Sequence, residues 1–174
     1  GGGASDSTLR NCTLASNEAW QQGGGAYDCA LANSIIWGNT APKDENFYVA
    51  DDDDDGEEGD EPEPGDDAGL VYCCTTPLAD GQGNIDVAPL FVDPVNGDCR
   101  LRAGSPCVDA GDTALVSGDD EIDLAGNPRI SNGAVDMGAY EGVVSGFVIS
   151  GSVEGHGQIS PPNAVVSAGG NVTF

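Results

Sequence analysis

The chain is 174 residues long and carries 30 acidic residues against 5 basic ones, a formal net charge of −25. Phosphate binding needs clustered Lys and Arg; Arg10, Lys43, Arg100, Arg102 and Arg129 are scattered apart from the Arg100/Arg102 pair, which excludes a nucleic-acid partner. No stretch approaches the ~18 apolar residues of a membrane span, and short β-branched and Leu/Ile pieces set between Gly and Asn predict an all-β chain.

The first forty residues repeat. Shifted by 22 positions, Gly1-Gly2-Gly3-Ala4-Ser5-Asp6 falls on Gly23-Gly24-Gly25-Ala26-Tyr27-Asp28 without a gap. Leu9 then meets Leu31, Asn11 meets Asn33, Leu14 meets Ile36 and Asn17 meets Asn39. A fixed period in the low twenties is the mark of a solenoid in which each turn stacks on the last. The apolar pairs predict inward ladders between coils, and the Asn pairs predict corners. There Asn tolerates left-handed backbone, and its amide can bond to the next coil. The Gly triplets predict turns where a Cβ would clash.

Residues 43–68 interrupt this pattern. Lys43-Asp44-Glu45 and Phe47-Tyr48-Val49 lead into a tract from Asp51 to Asp67 in which 12 of 17 residues are acidic. Such a block repels itself and lacks apolar surface to bury, which predicts a disordered insertion. Within it, Asp51, Asp53 and Asp55 followed by Gly56 have the alternate-carboxylate opening of a calcium loop. The twelfth position is Pro62 rather than Glu, so a solvated acidic loop is the plainer expectation and calcium the only cofactor considered. The coil resumes at Leu70-Val71-Tyr72-Cys73 and again at Gly83 to Val87.

Residues 93–141 have short strands separated by turn chemistry, the texture expected of a segment covering the open end of a solenoid. The residues after 142 read as the beginning of a separate β module. The chain starts at Gly1-Gly2-Gly3 and stops inside a strand-like run at Phe174, so both ends read as cut from a longer protein. The expected organisation is coils over 1–100 with the insertion at 43–68, a closing segment over 101–142, and an incomplete module over 143–174. The six Cys show no zinc spacing; disulfides are allowed, but 15 pairings are possible and Cys73-Cys74 is a poor self-pair.

Three strings carry a resemblance: "GGGAYDCALANSIIWGNTA", "GNIDVAPLFVDPVNGDCRLRAGSPCVDAGD" and "DLAGNPRISNGAVDMGAYE". Over roughly residues 1–142 they resemble the closing rungs of bacterial right-handed parallel β-helix repeat proteins of the variable-anchor type, distantly like the chlamydial polymorphic outer-membrane proteins. Residues 151–174 are similar to the start of small β repeat modules in bacterial surface proteins. The resemblance implies an all-β, right-handed parallel β-helix ending in a cap, exported to the cell surface. An adhesin-like or carbohydrate-contacting role is implied as well, with an extracellular polysaccharide or surface glycan as partner.

The rival expectation is the C-terminal part of a polysaccharide lyase or glycoside hydrolase whose active site lies on upstream rungs. Gly118-Asp119-Asp120 and Gly155-His156-Gly157 resemble two polygalacturonase motifs, but the accompanying Asn-Thr-Asp and Arg-Ile-Lys are missing. Arg100 and Arg102 beside Asp93 and Asp98 read as surface ion pairing rather than a lyase base. One His gives no support to a nucleophilic triad, so no catalytic residue is assigned. Asn11-Cys12-Thr13 and Asn171-Val172-Thr173 fit glycosylation sequons, which matter only in a secretory setting. Trp20 and Trp37 fall at unmatched repeat positions, and packing at the core or rim is expected for both, Trp37 beside Ile36.

Overall fold

The computed structural model of the chain describes residues 1–50, 69–118, 121–131, 133–144, 147–150 and 163–166. Nine short strands occupy the first part: β1 (Ala4–Ser5), β2 (Thr8–Arg10), β3 (Thr13–Ala15), β4 (Ala26–Tyr27), β5 (Ala30–Ala32), β6 (Ile35–Trp37), β7 (Phe47–Tyr48), β8 (Leu70–Val71) and β9 (Cys74–Thr75). They form three parallel ladders, β1-β4-β7, β2-β5-β8 and β3-β6-β9, which the chain visits in the same order three times. Among the described residues the only helical pieces are 3-10 turns at Pro94–Asn96 and Thr113–Leu115. The chain is all-β and mostly parallel.

The 22-residue shift reappears as strand register. Leu9 pairs with Leu31 and Leu14 with Ile36. On the inner side, Leu9, Leu31 and Leu70 stack, as do Leu14 and Ile36, around Ala26, Cys29 and Cys73. A fully buried Leu or Ile contributes roughly 1.5–3 kcal/mol, so these columns dominate the stability of the coils.

The two Asn columns have different tasks. Asn11 and Asn33 have left-handed backbone (φ 52° and 46°), and Tyr72 continues their column at φ 51°. Left-handed residues in fact recur every five positions, at Asp6, Asn11 and Ser16 and again at Asp28, Asn33 and Gly38, each turning the chain between ladders. Asn17 and Asn39 lie just after such a corner, and their amides bond along the stack. Asn17 Nδ2 donates to Asn39 Oδ1 (3.0 Å), Asn39 Nδ2 to Asn46 Oδ1 (3.0 Å), and Asn46 Nδ2 to the Thr76 carbonyl (2.7 Å). Gly25 is required beside this amide chain, because a Cβ there would stand 2.6 Å from Asn39 Nδ2.

The third coil begins earlier than the composition suggests. Lys43 bridges to Gln22, and Phe47 and Tyr48 pair with Ala26 and Tyr27 on the first ladder. Residues 43–50 therefore belong to the coil, not to the insertion, since Phe47 and Tyr48 continue the first ladder and the Asn46 amide continues the chain of Asn17 and Asn39. The pairing distance is 21 positions at Ala26/Phe47 and 39 at Leu31/Leu70, and residues 51–68 supply the difference of 18. The acidic tract thus enters between the first and second ladders without changing the phase of the later strands.

The segment after the coils lies along their flank. Strands β10 (Phe91–Asp93) and β11 (Asp98–Arg102) form an antiparallel pair, and β12 (Val143–Val144) runs parallel to β11. Phe91, Leu101, Cys107 and Met137 pack with Ile35 and Cys74, the outward residues of the third ladder. Ile35 is 1% and Ile36 0% exposed, because one faces this second core and the other the coil interior. Residues 93–141, expected to cover the open end of the solenoid, supply a lateral layer that touches the first coil at Asn11 and Thr13, the second at Asn33 and Ile35, and the third at Cys74. Farther on, β13 (Phe147–Ser150) and β14 (Asn163–Val166) form an antiparallel pair of their own.

Candidate functional site

The outer face of the first ladder is aromatic. Strand alternation puts Ala26 and Phe47 toward the interior and turns Tyr27 and Tyr48 outward in register. Their rings stack with centroids 5.1 Å apart and planes 27° apart, both half-buried. Offset stacking of this kind leaves aromatic surface on the outer side of a rigid strand.

Trp20 is 97% exposed, which corrects the expectation that it packs. Its neighbours are tied down through backbone alone, Ala19 N–H to the Thr40 carbonyl (2.9 Å) and Lys43 N–H to the Gln21 carbonyl (3.1 Å), so the indole is left in solvent. Trp37 is half-buried as expected, but against the second core with Ile35 rather than beside Ile36. It lines an apolar groove of about 370 Å³ with Ala15, Pro89, Phe91 and Pro94, rimmed by the exposed Leu90 and Val95.

A second concentration of chemistry is buried in the flank. Arg129 is 2% exposed, and its guanidinium donates to the Gly138 and Asn11 carbonyls and lies 3.6 Å from Glu141 Oε1. Burial, reinforced by the neighbouring Asp136 carboxylate, pushes Glu141 up to about 8. Burial likewise raises Asp136, whose oxygens accept from Asp109 N–H (2.7 Å) and Gly142 N–H (2.8 Å). At Asp123 burial works upward too, but bonds from the Glu141, Asn127 and Ala125 N–H groups outweigh it and hold the carboxyl below its ordinary value. Asn11 Nδ2 completes the cluster by donating to Glu121 Oε1 (2.9 Å).

Shifted carboxylates usually attract attention as acid–base groups. Here the arginine and the acids that matter, Asp123, Asp136 and Glu141, are closed off from solvent, and their bonds run between the flank and the coil corners. The arrangement holds two parts of the chain together.

The sequence candidates for catalysis and metal binding are not brought together. Asp119, Asp120 and His156 lie outside the described residues, as do the calcium candidates Asp51, Asp53 and Asp55. Among the described residues no cluster of three or more His, Cys, Asp or Glu side chains is placed to hold a metal ion. Arg100 forms the expected exposed ion pair with Asp98 (2.5 Å), which raises the guanidinium above its ordinary value, the opposite of what a lyase base needs. Arg102 donates instead to the Val92 carbonyl. No described helix is long and apolar enough to cross a membrane.

Three cysteine and serine positions share a turn role. Cys12, Ser34 and Cys73 occupy one column, and each side chain donates to the carbonyl two residues back, at 3.1, 2.7 and 3.3 Å. Ser7 and Cys29 do the same one corner earlier, at 2.7 and 3.2 Å. All six cysteines are free.

Two features escaped the repeat search. The Tyr27/Tyr48 column depends on a 21-residue shift and the Asn39–Asn46 amide bond on a separation of 7, and a search at 22 passes over both. The match of Ala26-Tyr27 to Phe47-Tyr48 was the available signal. Asp123, Arg129, Asp136 and Glu141 of the arginine–acid cluster all lie in the DLAGNPRISNGAVDMGAYE string, but the repeat could not show that the cluster meets Asn11, because Glu121 and Arg129 lie 110 and 118 positions from it. Compared with protein-family models, curated proteins and solved structures, the chain matches none.

Proposed function

We propose that this chain is part of a right-handed parallel β-helix in an exported bacterial surface protein, serving as a scaffold that contacts extracellular glycans and not as a catalyst. Three parallel ladders visited in a fixed order support the β-helix, and the resemblance of residues 1–142 to bacterial β-helix rungs supports export. The observation that carries the binding role is the outward Tyr27/Tyr48 stack on the first ladder. Flat aromatic surface held on rigid strands suits the apolar faces of sugar rings. A net charge of −25 disfavours uronic or sulfated chains and favours neutral polysaccharide.

Affinity electrophoresis through gels containing neutral or acidic polysaccharides tests this. Retardation by a neutral glycan that is lost in Tyr27→Ala/Tyr48→Ala is the expected result. Unchanged mobility in every neutral gel, or retardation that survives the double substitution, would sink the assignment.

A further inference from the structure

Cys74 and Cys107 differ from the turn cysteines. Both are 0% exposed, and both sit in the second core, 33 positions apart. Cys74 pairs in register with Ile35 and so faces outward from the third ladder. Cys107 comes to meet it because the flank is pinned alongside: Met137 N–H donates to the Cys107 carbonyl (2.9 Å) and Gly138 N–H to the Asn33 carbonyl (2.8 Å), one residue before Ser34, which accepts from Cys74 N–H (2.9 Å). Gly138 sits so close that a Cβ there would lie 2.8 Å from Ile35 Cδ1. The two side chains pack in one buried cluster with Ile35, Phe91, Leu101 and Met137, their thiols close enough to shift one another's acidity.

We propose that Cys74 and Cys107 are joined as a disulfide in the oxidised protein, tying the third ladder covalently to the flanking segment. Neither cysteine has the carbonyl two residues back as its partner, so no turn is lost when the bond forms; the Cys74 thiol instead donates to the Val87 carbonyl (3.2 Å). Either cysteine can serve as the attacking thiolate while the flank is still undocked, and the route through Cys74 stands for both.

The oxidant is a low-molecular-weight disulfide such as oxidised glutathione. Cys74 thiolate attacks one of its sulfurs, forming a mixed disulfide and releasing one glutathione thiol. Cys107 then loses its proton to solvent and attacks the Cys74 sulfur, releasing the second. Two electrons leave the cysteine pair and reduce one glutathione disulfide to two thiols. Because both sulfurs are buried in the finished fold, exchange occurs before the flank docks.

The test is to refold the full chain with a glutathione redox pair, alkylate it in denaturant and map unreduced tryptic peptides. Cleavage at Lys43, Arg100, Arg102 and Arg129 separates Cys74 (in 44–100) from Cys107 (in 103–129). The expected result is a linked pair of these fragments that persists in Cys73→Ser and Cys99→Ser and disappears in Cys74→Ser. The oxidised protein should also melt on the order of 10 °C above the same protein in a phosphine reductant. Six alkylated cysteines after oxidative refolding, or a link that runs through Cys73 or Cys99, would overturn the proposal. The mapping is done on denatured material, so it reads out even for a variant that folds poorly, and it is independent of whether any glycan binds.

Discussion

The coils and the flank that lies against them are stabilised in opposite ways. In the coils the ladders are built from contacts with the residue one turn away: Leu9 on Leu31, Thr13 on Ile35, Asn17 on Asn39. Stability is spread along the stack, and each position is replaceable by a residue of similar kind, as Ser34 is by Cys73. The flank uses each interaction once. Arg129, Asp123, Asp136 and Glu141 form a buried polar cluster whose partners include Asn11, while the Thr13 hydroxyl accepts from Ala139 N–H. A repeated architecture tolerates local loss, whereas a single-use polar lock concentrates it.

The largest expected effect is therefore in the flank. Arg129→Ala strands the buried Asp136 and Glu141 without their cation and should cost about 4 kcal/mol in urea unfolding. Asn39→Ala in the coils breaks four amide bonds, to Asn17, Leu14 and Asn46, and should cost about 2 kcal/mol. Equal losses would erase the distinction between the two regions.

Acidity separates them further. Glu141 rises from 4.5 to about 8 on folding, so the stability it contributes is fully present below 4.5 and is lost as pH climbs toward 8. The slope of stability against pH should approach about 1.4 kcal/mol per unit across that window and flatten in Glu141→Gln, read from urea midpoints at successive pH values. A slope unchanged by the substitution would place the titration elsewhere.

The smallest effect should come from removing residues 51–68 and joining Ala50 to Gly69. Register continues across that stretch, and loop closure changes only slowly with length, so stability should move by less than about 1 kcal/mol. The same pair of proteins tests calcium at Asp51, Asp53 and Asp55. If the ion binds there, a chelator lowers the melting temperature of the full chain and leaves the shortened one unmoved; identical melting with and without chelator would eliminate the site.

By itself the sequence determined the periodic part. Gly, Leu and Asn recurring at 22 positions specify strands, corners and inward columns, because in a stacked chain each residue's environment is supplied by its own repeat. It also marked where the coil resumes after the acidic tract, at Leu70, although it placed the start of the interruption too early, at Lys43, and only strand register showed that the tract leaves the phase unchanged. Only the tertiary structure decided what the outer faces meet. That Ile35 is core as well as Ile36, that Trp20 stands in solvent, that Tyr27 stacks on Tyr48, and that Cys74 finds Cys107 all depend on docking between distant segments. Such contacts leave no period in the chain, since each is made once, between surfaces that fold independently of the repeat that presents them.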